Sequence, residues 1–394
     1  MGTGTGPGRP FDDAREAARR LGVVLAGSPV RLPLDEALGA VLAEELLARG
    51  DVPAADASAM DGFAVRGPGP WCVRGRVLAG GAPAAALADG DAVEVATGAL
   101  VPGGTARVLP VEVVSVEAGV LRLVGPEPGR RHVRPRGEEC AAGELLLDPG
   151  RRVRAGVLGL AASTGSDSLV VRRRPRVSAL LTGDELVVSG LPVPGQVRDA
   201  VGPLLPAAVA SLGGELVRLE RCGDAPGRLE AALAELLDDG CDVVLTCGMA
   251  GAGPADRLRP WLARVGADLV VDGVAVRPGH PMVLARLPDG RVLVGLPGNP
   301  LAAVAALLGL LGPLLAGMSG LVPPEPARAT LGGWEHRGRP ATTLVPVRRC
   351  EDGHVVPSGP AGPAQLRGLG AADAVAVVPI DWDGTKPVEL LPLP

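Results

Sequence analysis

Lysine is all but missing, since Lys386 is the only one in 394 residues, and tyrosine is absent altogether. Nearly all positive charge therefore rests on arginine, the mark of an Arg/Ala/Gly/Pro coding bias in which pattern carries more information than residue identity. Net positive charge is lacking too. Lys+Arg 39 against Asp+Glu 44 leaves −5, which excludes a nucleic-acid surface built on general basicity and makes any anion site a local one. The six cysteines, Cys72, Cys140, Cys222, Cys241, Cys247 and Cys350, form no C-x-x-C pair and stand at no zinc-finger spacing from histidine. They read as reduced, mostly buried thiols of a cytoplasmic protein. The opening MGTGTGPGRPFDDAREAARR has no apolar core followed by a cleavage site, so no signal peptide is expected. One uncharged apolar stretch, Pro300–Met318, is long enough to span a bilayer, but it is interrupted by Pro313 and three glycines and flanked by no Lys/Arg cluster. It reads as a buried helix, with a subunit interface as its expected setting, rather than a membrane span.

What is present is ample core material: 47% hydrophobic and 21% charged residues over 394 positions predict two to four globular domains. Residues 1–10 are Gly/Thr/Pro-rich and expected to be disordered. Asp12 to Leu21 predicts a short amphipathic helix, and the three-to-four-residue apolar spacing of Pro33 to Arg49 predicts a longer one. From Asp51 to Pro149, short valine-rich runs broken by Gly and Pro predict an inserted β domain, after which helical texture returns at Arg151–Leu160.

From Arg176 the chain alternates: RVSALLTGDEL, ELVRLERC, CDVVLTCG, VDGVAVRPG and RVLVGLPG read as strands, with helices between them and the Ala/Leu helix after Pro300. Such alternation predicts a mostly parallel sheet in a three-layer α/β domain, with ligands beyond the carboxyl ends of its strands. The turns TGDE, TCGMAGAG, RPGHP and LPGNP are all expected at that edge. Within the second, Cys241 to Asp256 runs from an apolar strand into Gly248, Gly251 and Gly253, placing bare backbone N–H groups where an anion can approach, with Asp256 able to hold a metal. Its spacing is neither G-x-G-x-x-G nor a G-K-[ST] P-loop, and a tight strand-to-helix connection is the structural alternative. Short strands after Pro323–Pro324 predict a small C-terminal β domain. The expected organisation is α/β multidomain: residues 11–50 with 150–175 as a helical or linker unit, 51–149 the inserted β domain, 176–322 the α/β domain and 323–394 the C-terminal β domain.

Taken in order, SAMDGFAVR (Ser58–Arg66), ATGALVPGG (Ala96–Gly104), RPRGEE (Arg134–Glu139), TGDEL (Thr182–Leu186), VAVRPGHP (Val274–Pro281) and LPGNP (Leu296–Pro300) resemble the molybdopterin molybdenumtransferase family, the MoeA type that includes the gephyrin E domain. The resemblance runs from about Asp12 to the C-terminus. It implies a barrel-like C-terminal domain and Mg²⁺-dependent insertion of molybdate into adenylylated molybdopterin with release of AMP. It also implies a homodimer with a shared active site, and contact with other molybdenum-cofactor biosynthesis proteins. No nucleic-acid or membrane partner is expected.

Carried over by position, the resemblance makes Asp61, Glu185, Asp224 and Asp256 the catalytic candidates, and Asp61, Glu139, Glu185 and Asp256 the candidate Mg²⁺ ligands. Thr97, Arg134, Arg136, Thr182, Gly183, Gly248, Gly251, Gly253, Arg277, His280, Pro297, Gly298 and Asn299 become candidate contacts to the pterin nucleotide. The chemistry agrees: a polyanion needs backbone donors, arginines and a hard cation held by carboxylates. Singly, Asp61 could cap a turn, Glu185 a helix, and Asp224 could be a loop acid. The chain departs from the family where Cys247-Gly248-Met249-Ala250 to Asp256 replaces a serine- and acid-bearing loop. Gly273, Arg277 and His280 stand where lysines are usual, and Asp199-Ala200-Val201 stands for D-S-N. Three readings follow: an active molybdenumtransferase, a weakly active or non-catalytic molybdopterin-binding relative, and another nucleotide-phosphate-binding α/β enzyme.

Overall fold

The computed structural model of the chain describes residues 8–82, 84–225, 227–251, 256–335, 341–360 and 362–394. Its centre is a six-stranded sheet in the order Glu215–Cys222, Arg176–Thr182, Val243–Cys247, Val292–Leu296, Val283–Arg286, Asp268–Asp272. The first four strands are parallel and the last two antiparallel, so the sheet is mixed. The strands are apolar on both faces because helices cover both, as near-continuous hydrophobic runs require. Val177, Ala179 and Leu181 point to one side, onto helices Phe11–Val24 and Leu205–Leu212 and the apolar Pro300–Ser319 stretch. Leu180 points to the other, onto Leu229, Leu233 and Leu236 of helix Arg228–Asp238 and Leu258, Trp261 and Leu262 of helix Leu258–Arg264.

The helix expected at Asp12–Leu21 spans Phe11–Val24. It crosses Gly312–Ser319 so closely that a β-carbon on Gly22 would collide with the Leu314 carbonyl and one on Gly317 with the Arg19 carbonyl, while Phe11 fills the notch at Gly309. The Pro300–Ser319 stretch, whose middle turn Leu307–Leu311 is π-helical, is 83% buried inside its own chain. The expectation that its apolar surface faces a second subunit is therefore corrected: this helix, the sheet and the Phe11 helix supply each other's cover.

A second correction concerns Pro33–Arg49, which is not helical. Strands Val30–Pro33, Val41–Leu42 and Leu46–Leu47 occupy the region, pairing with Ser168–Arg172 and Leu145–Leu147. Gly39 turns the chain at φ +81, and Leu32, Ala37, Ala40, Leu42 and Leu46 meet Val153, Ala161 and Val171 in one small core. Three-to-four-residue apolar spacing is produced here by turns between short strands. Helix Ala155–Ser163 matches the helical texture expected at Arg151–Leu160.

Between residues 62 and 123 lies a second six-stranded sheet, ordered Arg107–Pro110, Gly62–Val65, Asp91–Val95, Trp71–Val77, Val120–Leu123, Val114–Glu117, with small cores on both sides. A third joins Val276–Arg277, Thr342–Arg349, Ala374–Val378, Val388–Pro392 and Ala327–Ala329, with Val355–Pro357 on Thr342–Arg349. VDGVAVRPG is thus not one strand of the central sheet. The chain turns at Gly273 (φ +79), and Val276–Arg277 pairs with Thr342–Thr343 in the third sheet. The central position goes to Val283–Arg286, which the sequence reading passed over.

Candidate active site

Register fixes where the glycine-bearing turns meet. Leu181 stands beside Cys247, and Cys247 beside Leu296, so the segments that follow all three strands leave the sheet at one edge. Val283 pairs with Gly295 at the start of an antiparallel strand, so RPGHP enters from that edge as well. The four turns expected together are together.

A cleft of about 80 Å³ opens there, with Thr182, Glu185, Arg198, Asp199, Gly248 and Gly298 in its walls. Its floor is backbone. Gly248 takes φ +118, and a β-carbon on it would collide with the Thr182 side chain, whose hydroxyl donates to the Cys247 carbonyl at 3.1 Å. Gly298 lies beside Gly248, so two strand ends present main chain rather than side chains to the cleft. Gly183, at φ +144, leaves the space that the Glu185 carboxylate occupies. Beside it, Asp184 and Asp224 exchange bonds, each carboxylate accepting the other's backbone N–H at 3.2–3.3 Å. Glu185 lines the cleft, whereas half-buried Asp224 is tied through these bonds to Asp184, a residue absent from the expected set, and neither of those two is in the cleft wall.

Asp199 is the buried anchor of this wall. Its Oδ1 accepts the N–H groups of Val201 and Gly202 at 3.0 and 2.8 Å, and its Oδ2 takes both Nε and Nη2 of Arg221. Sequence reasoning noted Asp199 only as the remnant of a motif and missed Arg221 and Arg198. An acid followed by two residues whose N–H groups need an acceptor before a helix was the available signal.

Cys247, in the position of the family's serine, is buried, and burial pushes its thiol up to about 12. It donates to the Pro297 carbonyl at 3.4 Å, fastening the LPGNP turn to the neighbouring strand. Asn299 stands at the N-cap of the following helix with its carbonyl accepting from Ala303, and its side chain makes no capping bond.

Other expected residues are placed differently. Asp256 pairs with Arg259 at 3.0 Å and accepts from Leu258 N–H, while Arg259 also donates to the carbonyls of Ala250 and Gly251. Burial raises its pKa in spite of the guanidinium. This carboxylate holds a loop to a helix, which is the structural alternative considered for that turn; it is not in the cleft wall. Gly253 lies outside the described residues. Arg277 is exposed, and His280 spends Nδ1–H on the Val274 carbonyl at 2.7 Å, closing its own turn.

Most of the remaining candidates gather in turns beside the residue 62–123 sheet and along the two-stranded pair of Ala57–Ser58 with Val133–Arg134. Asp61 accepts from Thr97 N–H at 2.7 Å and Thr97 Oγ–H at 3.0 Å, which holds its carboxyl below the ordinary value. Ala57–Ser58 pairs with Val133–Arg134, and Gly98 N–H donates to the Ser58 carbonyl, so SAMDG, ATGA and RPRGEE meet. Arg134 bonds Glu138 at 2.8 Å, with Glu139 at 4.0 Å, and Arg136 pairs with Asp51 while its backbone N–H donates to the Asp56 carboxylate. None of these residues lines the cleft.

Residues 9–165 match the model described as "MoeA N-terminal region (domain I and II)", and residues 178–317 match "Probable molybdopterin binding domain". The chain belongs to the molybdopterin molybdenumtransferase family. It is 32% identical over 382 residues to molybdopterin molybdenumtransferase 2 of Mycobacterium tuberculosis, covering 90% of this chain and 91% of that one. Against molybdopterin molybdenumtransferase of Synechococcus elongatus it is 34% identical over 299 residues, 72% and 74% of the two chains. Two crystal structures of the molybdopterin biosynthesis moeA protein of Pyrococcus horikoshii superpose with TM-scores of 0.71 and 0.75, at 25% and 22% identity, over 98% and 97% of this chain and 99% of each.

Proposed function

We propose that this chain is a molybdenumtransferase of molybdenum-cofactor biosynthesis, inserting molybdate into adenylylated molybdopterin with release of AMP. The observation that supports this best is the glycine-floored cleft at the carboxyl edge of the central sheet, with the Glu185 carboxylate in its wall. The exposed main chain at Gly298 and the Arg198 guanidinium offer donors to a phosphate. The Glu185 carboxylate in the cleft wall offers oxygen to a hard cation such as Mg²⁺ shared with substrate phosphates. Bound there, the ion would neutralise phosphate charge and polarise the bond to the leaving AMP. The chain's own part is to hold the pterin nucleotide against the glycine floor and to exclude side chains from the space where the phosphate lies. The protonated Cys247 thiol acts as a fastener and supplies no nucleophile. Asp256, already paired with Arg259, moves from metal ligand to loop anchor in this reading.

Asp61, Thr97, Arg134 and Glu139 form the other half of the site. Since none of them lines the cleft, the reading joins them to the cleft of a second subunit in a homodimer, in the cytoplasm, with the chain divided at 11–50 with 150–175, 51–149, 176–322 and 323–394. A weakly active variant of the same function is favoured by one observation: Asp256 is committed to Arg259, and no lysine stands near Gly273. The test is AMP release by the purified chain given adenylylated molybdopterin, Mg²⁺ and molybdate. Release that depends on molybdate supports the transferase; tight binding of the nucleotide with no release would leave only the binding role.

A further inference from the structure

Far along the chain from both clusters, a hairpin joins Thr342–Arg349 to Val355–Pro357 with Cys350, Glu351, Asp352, Gly353 and His354 at its tip. Cys350 N–H donates to the His354 carbonyl at 2.9 Å, and Gly353, at φ +85, donates back to the Cys350 carbonyl at 3.0 Å. A turn closed between residues 350 and 354 sets the cysteine and the histidine side by side. Asp352 folds back between them: its carboxylate accepts the His354 backbone N–H and meets the imidazole Nδ1. A sulfur, a carboxylate oxygen and an imidazole nitrogen therefore lie within 4.8 Å of one another.

We infer that this Cys-x-Asp-x-His hairpin binds one divalent transition-metal ion of borderline softness, Zn²⁺ being the ion that fits best, through three side chains and a water. An Asx turn with an aspartate–histidine ion pair accounts for two of the three groups. It gives no reason for a sulfur within reach of both. Thiolate and imidazole together select zinc or cobalt over magnesium or calcium, and three protein ligands with one open position complete a tetrahedron. Ligand atoms around tetrahedral zinc stand about 3.4–3.6 Å apart, by its bond lengths to sulfur, nitrogen and oxygen. Side chains on a partly exposed turn reach that spacing by small rotations, without moving the strands. The sequence does not advertise the site, because zinc motifs are read from paired cysteines and histidines, and here one of each is completed by an aspartate.

The test is a Co²⁺ titration of the full-length chain after chelator treatment, followed by visible and near-ultraviolet absorption. The site predicts one equivalent of Co²⁺ per chain with tetrahedral d–d bands and a thiolate-to-cobalt band, all displaced by Zn²⁺. Cys350→Ser loses the thiolate band and His354→Gln loses stoichiometric binding, while both variants keep the wild-type unfolding midpoint in chelator. A thiolate band that survives Cys350→Ser, or a chain that takes up no Co²⁺ stoichiometrically, overturns the assignment.

Discussion

Asp199 carries more of the cleft than any residue chosen for its chemistry, because one carboxylate satisfies two backbone N–H groups and a guanidinium at once. Replacing it by alanine strands those donors beside Arg221, and Asp199→Ala is expected to lower stability by about 2–4 kcal/mol in a denaturant titration. Asp199→Asn, which keeps the shape and an acceptor for the backbone, costs less; equal losses would mean that the charge pairing with Arg221 carries the whole effect and the bonds to Val201 and Gly202 add nothing. Cys247 yields a pH prediction. Its folded pKa, pushed up to about 12, lies above the ordinary 9.0, so its contribution to stability is fully present below pH 9 and is lost as pH rises toward 12. The same burial protects it: iodoacetamide at pH 8 labels exposed Cys72 first, and mass spectrometry showing early label on Cys247 would contradict the packing. At Asp61, Thr97→Val removes one of two donors, so the carboxyl pKa read by NMR moves up toward the ordinary value without reaching it, because the stronger backbone bond stays. An unchanged pKa would mean that the hydroxyl does not contribute. At this scale the sequence revealed residue types but not commitments. Asp256 and His280 looked available, yet an arginine three residues on and a carbonyl six residues back had claimed them.

Elements were legible where hydrophobic period and length agreed. Helix Phe11–Val24 and strands Arg176–Thr182, Val243–Cys247 and Val292–Leu296 follow from apolar pattern alone. Pro33–Arg49 did not, because short strands separated by turns imitate helical spacing, and Val276–Arg277 was misplaced because pattern cannot tell which sheet receives a two-residue strand. The helix crossing near the N-terminus shows what composition hides. Gly22 and Gly317 are ordinary in so glycine-rich a chain, yet each touches the backbone of the opposite helix. Gly22→Ala is expected to cost about 2 kcal/mol through overpacking, read as a lowered denaturant midpoint with an unchanged slope. A neutral substitution would mean that the helices separate easily.

For the whole molecule, the decisive feature is that family motifs gather in two places: Asp61, Thr97, Arg134 and Glu139 around the joined SAMDG, ATGA and RPRGEE segments, and Thr182, Glu185, Gly248 and Gly298 at the edge of the central sheet. The order of motifs along the chain made the family legible, but order says nothing about which motifs share a surface. The account joins the two clusters across a dimer, so each active site takes one cluster from each subunit. The most direct measurement is AMP release by a doubly tagged heterodimer carrying Asp61→Ala in one subunit and Glu185→Ala in the other. One of its two shared sites is intact, and the account predicts about half the wild-type rate while either homodimer is inactive. A heterodimer as inactive as its parents, or an Asp61→Ala homodimer with full activity, would contradict it.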